Sequence, residues 1–162
     1  MRRAAVALVL FAAGCGFQLR GVAEVPFRTV YVPGTGGIAL ELRRTIANGT
    51  RAEVVDDARR ADAILEFTQE ARQKEILSLT TAGRVREFRL GYLVAFRVHD
   101  GRGGEYVPPT LLRLTRDISF SDEAVLAKEA EEQLLYRDMQ SDMVQQILRR
   151  LAAARPPRPE AR

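Results

Sequence analysis

Few side chains in this 162-residue chain are equipped for chemistry. It has one histidine, His99, and one cysteine, Cys15. His99 is the sole conventional general base. It ends an alternating apolar segment and precedes Asp100-Gly101-Arg102-Gly103-Gly104, a hairpin turn, where a histidine more often serves the turn than a reaction. A single cysteine excludes an intramolecular disulfide and a cysteine-cluster zinc site. Glu129, Glu131 and Glu132 gather carboxylates as acid–base pairs do, but on one helix they read first as a solvated face. Pro33-Gly34-Thr35-Gly36-Gly37 lies between a strand and a helix, where a phosphate-binding loop would sit. It matches neither G-x-G-x-x-G nor G-x-x-x-x-G-K-[ST], and no parallel α/β repeat follows, so it reads as a connection. With no Ser–His–acid arrangement, the chain reads as a non-enzyme with no catalytic residue, metal or cofactor site.

The cations carry more information. With 25 Lys+Arg against 21 Asp+Glu the net charge is +4, which invites a nucleic-acid reading. Placement argues against it. Arg2 and Arg3 open the chain, and Arg155, Arg158 and Arg162 lie in its tail. Residues 15–154 hold 20 basic and 20 acidic side chains. Within that neutral stretch the charge is polarised. Residues 72–116 carry nine basic and four acidic groups; residues 117–142 carry eight acidic and two basic ones.

The elements that position these charges follow from periodicity. At 46% hydrophobic and 28% charged, the chain is neither disordered nor a polytopic membrane protein. Thr29-Val30-Tyr31-Val32 is a short strand. Ile38, Leu42 and Ile46 recur at helical spacing, with Gly49 as a stop. Glu53-Val54-Val55 is a short strand start within a polar loop, and Ala63, Leu65 and Phe67 alternate as a strand. That alternation fades through 69–75 and returns at Ile76. Phe88 to Val98 is the clearest strand, with period two throughout. Leu112, Leu114, Ile118 and Phe120 share one face of a last strand, where Arg116 breaks the parity. Arg89, Arg97 and Arg113 fall on the outward face, an arrangement suited to a polyanion. Ser121 caps a long helix whose apolar stripe starts at Leu126 and Ala130 and continues through Tyr136, Met139, Met143, Ile147 and Leu151. Strands alternating on one face need one cover, and two amphipathic helices supply it. The expectation is an α+β two-layer sandwich: a sheet of about four strands, mostly antiparallel, with two helices packed on one face. The first strand–helix–strand unit is compatible with a parallel crossover.

The N-terminus reads as an address. Met1-Arg2-Arg3 precedes an apolar run, residues 4–13, that rises only about 15 Å as a helix, half a hydrocarbon core. That is a secretory signal. Ala12-Ala13-Gly14-Cys15 resembles the lipobox of bacterial lipoproteins, in which the chain is cut before the cysteine and the cysteine is acylated. The resemblance implies a covalent lipid on Cys15, and several acyl chains suffice for stable anchoring. Gly16 replaces the Asp of inner-membrane retention, so the outer membrane is the expected destination. There the available polyanion is a phosphorylated glycolipid, not nucleic acid. The domains expected are a signal peptide (1–14), a lipidated tether (15–27), the sandwich (28–153) and a Pro/Arg-rich tail (154–162).

Three stretches carry a further resemblance. Cys15-Gly16-Phe17-Gln18-Leu19-Arg20-Gly21, Gly83-Arg84-Val85-Arg86-Glu87-Phe88 and Leu126-Ala127-Lys128-Glu129 resemble, in order, segments of the LPS-assembly lipoprotein family (LptE). The resemblance implies two helices on a four-stranded sheet and a non-enzymatic role. It implies a plug in the outer-membrane β-barrel LptD, which assists barrel assembly and binds lipopolysaccharide during delivery to the cell surface. The family's ligand-binding Lys falls on Lys128. Its loop Arg falls on Thr81, and the nearby Arg84 and Arg86 are the candidate substitutes. The ordinary alternative for Lys128 is a helix-surface ion pair. The alternative function is a free-standing, lipid-anchored carrier or binding protein for an anionic glycolipid, which needs a sizeable apolar groove.

Overall fold

A computed structural model describes residues 23–156. The signal peptide at 1–14, the Cys15 anchor and the end of the tail, 157–162, lie outside the described residues. The elements run β1 (Thr29–Tyr31), α1 (Gly37–Gly49), β2 (Glu53–Val55), β3 (Ala63–Leu79), β4 (Val85–His99), β5 (Glu105–Ser119) and α2 (Val125–Ala153). Short 3-10 turns precede β3 (Ala58–Arg60) and α2 (Asp122–Ala124). The strands form one mixed sheet in the order β2-β1-β3-β4-β5. β1 is parallel to both β2 and β3, whereas β3, β4 and β5 make an antiparallel meander.

The class is α+β, as the periodicity implies, but the sheet has five strands rather than four. The addition is Glu53–Val55, which pairs with Thr29–Tyr31 along its length. A three-residue edge strand is too short to show a period. At the start of the fold, Ala23 bridges to Thr50 and Phe27 is buried in the core, so residues expected in the tether contribute packing.

α1 buries Ile38, Ala39, Leu42 and Ile46 on one face. Its entry turns on two glycines of positive φ, Gly34 and Gly37, in the Pro33–Gly37 segment. At its end the Thr50 hydroxyl and N–H both donate to the Ile46 carbonyl, at 2.9 and 3.0 Å. These bonds occupy a carbonyl the helix would otherwise leave open.

β3 is continuous over 17 residues, not interrupted at 69–75. Register shifts between Phe67 and Gln69 and between Ile76 and Ser78 explain the faded pattern. Before the first shift, Leu65 and Phe67 stand opposite Val98 and Phe96 on the core face. Beyond it, Glu70, Arg72 and Lys74 stand opposite Val94, Tyr92 and Leu90 on that same face. One inserted residue exchanges the two faces of a strand, so a parity count fails across it. β5 accommodates Pro108 and Pro109 because it is an edge strand with a register shift there.

α2 covers β4 and β5 with its second half only. Tyr136, Met139, Met143, Val144, Ile147 and Leu151 are buried, and residues 125–135 include no buried side chain. Leu126 is 82% exposed and Ala130 is exposed, so the apolar stripe starts at Tyr136, one helix half later than the spacing suggests. The first half runs over the end of the meander, where Lys74 stands beside Phe88 and Ile118 and a crevice takes the place of close packing. Ser121 caps, but it caps the 3-10 turn: its hydroxyl accepts the Glu123 N–H at 3.3 Å. The helices are joined by Glu41, which accepts from Gln140 at 2.8 Å and Ser141 at 2.6 Å.

Candidate functional site

Two candidate ligand cations, Arg84 and Lys128, reach one four-residue stretch with their side chains, and Arg86 meets it through its backbone. β5 runs out at Ser119, and the chain turns through Phe120, Ser121 and Asp122 into α2. The Phe120 N–H donates to the Arg86 carbonyl at 2.8 Å, fixing the end of β5 to the start of β4. Arg84 lies in the β3–β4 turn, closed by Thr80 N–H to the Arg84 carbonyl at 2.7 Å and by Gly83 at φ +78°. Its guanidinium stands 3.5 Å from the Asp122 carboxylate. Lys128, one turn into α2, donates to the Ser119 hydroxyl at 3.0 Å and to Glu131 at 2.8 Å. Arg84, Arg86 and Lys128 are thus at one end of the sheet, with Thr81 exposed in the same turn. Arg86 is exposed and, among the described residues, its side chain has no acidic partner. The helix-surface ion pair considered for Lys128 is present, alongside its bond to the strand end.

Between this strand end and the first half of α2 lies a crevice of about 250 Å³. Phe88, Ile118, Phe120 and Val125 supply its apolar lining, and two cations, Lys74 and Lys128, and two carboxylates, Glu129 and Glu132, line it with charge. Phe88 and Phe120 meet edge to face, centroids 5.3 Å apart. The Lys74 ammonium lies 4.4 Å from the Phe88 ring centroid and 2.6 Å from a Glu132 carboxylate oxygen. Sequence reasoning missed Lys74 because it lies beyond the β3 register shift. Deeper along α2, the Arg72 guanidinium sits 5.2 Å from the Tyr136 ring and 5.5 Å from the Tyr92 ring. Burial pushes the Tyr92 hydroxyl's pKa up, and its hydrogen bond to Glu70 adds to the shift. Tyr136 is raised by burial and by the Glu132 charge.

The outward sheet face is less cationic than strand parity suggests. Arg89 clasps Asp117 on β5 with two bonds of 2.8 and 2.9 Å, which lowers the Asp117 pKa. Arg97 binds Glu66 on β3 at 2.6 Å. Cross-strand carboxylates therefore neutralise two of the three arginines, leaving Arg113 without an acidic partner among the described residues. Arg116, which interrupts the apolar parity of β5, reaches Asp142 on α2 at 2.8 Å.

The remaining candidates are used structurally. His99 accepts the Gly101 N–H at Nδ1, 3.0 Å, and Asp100 accepts from Arg102 and Gly104, so both build the β4–β5 turn. Glu131 and Glu132 are in ion pairs with Lys128 and Lys74. Among the described residues no cluster of three His, Cys, Asp or Glu could hold a metal, and no helix is long and apolar enough to cross a membrane.

Residues 27–151 match the model of a family described as LptE, Lipopolysaccharide-assembly. The chain belongs to the LptE family. Membership gives it a role in lipopolysaccharide assembly. An LPS-assembly lipoprotein LptE from Pectobacterium atrosepticum is 28% identical over 153 residues, 88% of this chain and 79% of its own. Another LptE, from Yersinia enterocolitica, is 31% identical over 157 residues, covering 88% and 70%. Among solved structures, a lipoprotein B from Nitrosomonas europaea superposes with a TM-score of 0.74 at 48% identity, covering 85% of this chain and 91% of its own. The rare lipoprotein B from Shewanella oneidensis gives 0.64 at 25% identity, with 80% and 94% covered. The LptE-like sandwich deduced from strand and helix periods is therefore the fold of these relatives.

Proposed function

We propose that this LptE-family chain is a non-enzymatic subunit of the lipopolysaccharide-translocating barrel LptD. It is anchored in the outer membrane by lipid on Cys15, faces the periplasm and occupies the barrel lumen. It assists barrel assembly and binds lipopolysaccharide during delivery. Lys128, Arg84 and Arg86 are the proposed ligand contacts. Lipopolysaccharide, the barrel and the membrane are its partners; nucleic acid is not, and no cofactor beyond the Cys15 lipid takes part.

The observation that carries this reading is the meeting of the Arg84 and Lys128 side chains at Ser119–Asp122, with Arg86 bonded to the same stretch through its backbone carbonyl. Cations gathered at the end of a sheet, beside apolar side chains, match a phosphorylated lipid better than a solvated strand face does. The free-standing carrier reading needs a cavity that encloses several acyl chains. The crevice of about 250 Å³ is smaller than the pockets that enclose even a drug-sized ligand, and the larger hollows, about 470 Å³ beside Asp62 and about 490 Å³ beside Gln133, lie open at the surface. That size favours a subunit whose ligand is shared with a partner. The test is purification from outer membranes in mild detergent. A barrel retained with the chain is the expected result. A chain that purifies alone from intact outer membranes overturns the reading.

A further inference from the structure

We propose that the crevice takes one acyl chain bearing a phosphate group, and that Glu132 is the built-in competitor such a ligand must displace from Lys74. The inference rests on the lipopolysaccharide-binding reading above and assigns chemistry to that site.

The geometry is that of a boundary between apolar and charged surface. The Lys74 ammonium lies over the Phe88 ring and against Glu132, whose side chain is only 17% exposed. Lys128 lines the same crevice and is paired in the same way, with Glu131. At rest each ammonium holds one carboxylate and Glu129 adds a further negative charge to the lining, so the site presents apolar surface without free positive charge. Phosphate carries about −1.5 to −2 charges and three strong acceptor oxygens, against one charge on Glu132. It outcompetes the carboxylate for Lys74; a fatty acid, with a single carboxylate, has no such advantage. Ligand specificity thus follows from the competitor that already occupies the cation.

The exchange has a mechanical consequence. Glu132 belongs to the half of α2 that includes no buried side chain, and Lys74 belongs to β3. Their ion pair is a direct tie between that helix half and the sheet. Transfer of Lys74 to phosphate releases the tie, so the helix half moves outward as the chain enters beside Phe88 and Val125.

The test measures binding of phosphorylated lipid A and of its dephosphorylated form in nonionic detergent micelles, using the full chain. Glu132→Gln removes the competitor and tightens phosphorylated lipid A about fivefold, and Lys74→Gln weakens it by about the same factor. Glu123→Gln, an equal charge change on the turn before α2, leaves it unchanged. Denaturant unfolding of Glu132→Gln and Lys74→Gln, each with a midpoint close to that of the wild type, separates the loss of charge from a loss of folding. Unchanged or weaker binding by Glu132→Gln overturns the proposal. So does equal tightening by Glu123→Gln, or the same gain with dephosphorylated lipid A. Barrel co-purification is scored on the same preparations. A wild-type chain that retains the barrel but binds no lipid A sinks this inference and leaves the barrel reading standing. The predicted binding pattern in a chain that purifies alone does the reverse.

Discussion

The Tyr136 hydroxyl donates to the Gln73 backbone carbonyl across 2.7 Å. That bond pins α2 to β3 where the helix changes character. Before Tyr136 no side chain of α2 is buried; from Tyr136 onward one face enters the core. Tyr136→Phe keeps the ring over Arg72 and removes the bond, so it lowers stability by about 1 kcal/mol, the usual worth of one such bond. Denaturant unfolding checks this, with an unchanged midpoint as the contrary result.

The same boundary divides the helix by local stability. Regions with few buried apolar contacts open locally without global unfolding. Residues 125–135 are held by Lys74–Glu132, by Lys128–Ser119 and by the half-buried Leu135 at their end. Their amides exchange with deuterium well before those of residues 139–151. Uniform protection along α2 contradicts this division.

Two substitutions on that helix expose the same contrast in energy. Ile147 is fully buried among the core side chains, so Ile147→Ala costs about 2–5 kcal/mol. Leu126 is 82% exposed, and Leu126→Ala stays within about 0.5 kcal/mol. A large loss at Leu126 in the isolated chain contradicts the placement; a loss seen only in complex with a partner assigns Leu126 to the interface.

Leu126 also shows where sequence patterns carry and where they stop. Periods of two and 3.6 locate β4, β5 and both helices, because those residues repeat against one continuous core. The period stops short of Leu126, which lies ten residues, about 2.8 turns, before Tyr136 and so stands off the buried face. Nor can it cross the β3 register shift that turns Arg72 and Lys74 toward α2. Lys128, Arg84 and Arg86 are candidates because their flanking residues resemble a family pattern. Lys74 had neither pattern nor period, and only the pairing of β3 with β4 brings it to the crevice. The neutralisation of Arg89 and Arg97 was hidden for the same reason, since parity gives a face but not the cross-strand partner.

Asp62 supplies a pH test of the sheet's assembly. It joins the segment before β3 to β1, accepting the N–H groups of Arg28 and Thr29 at 3.1 Å each. Burial pushes its pKa up, but the hydrogen bonds from Arg28 and Thr29 outweigh burial and the net shift is down from 3.8. A carboxylate lowered by folding stabilises the native state above its unfolded pKa, and that contribution disappears as pH falls through the folded value. Asp57, Asp100 and Asp117 are lowered too, each by hydrogen bonds. The melting temperature is therefore level from neutral pH to about 5 and falls below about 4. Asp62→Ala melts lower than the wild type at pH 7, and the gap narrows as the pH drops below 3.8. A gap that stays constant across the acid range shows that Asp62 acts through packing and not through its charge.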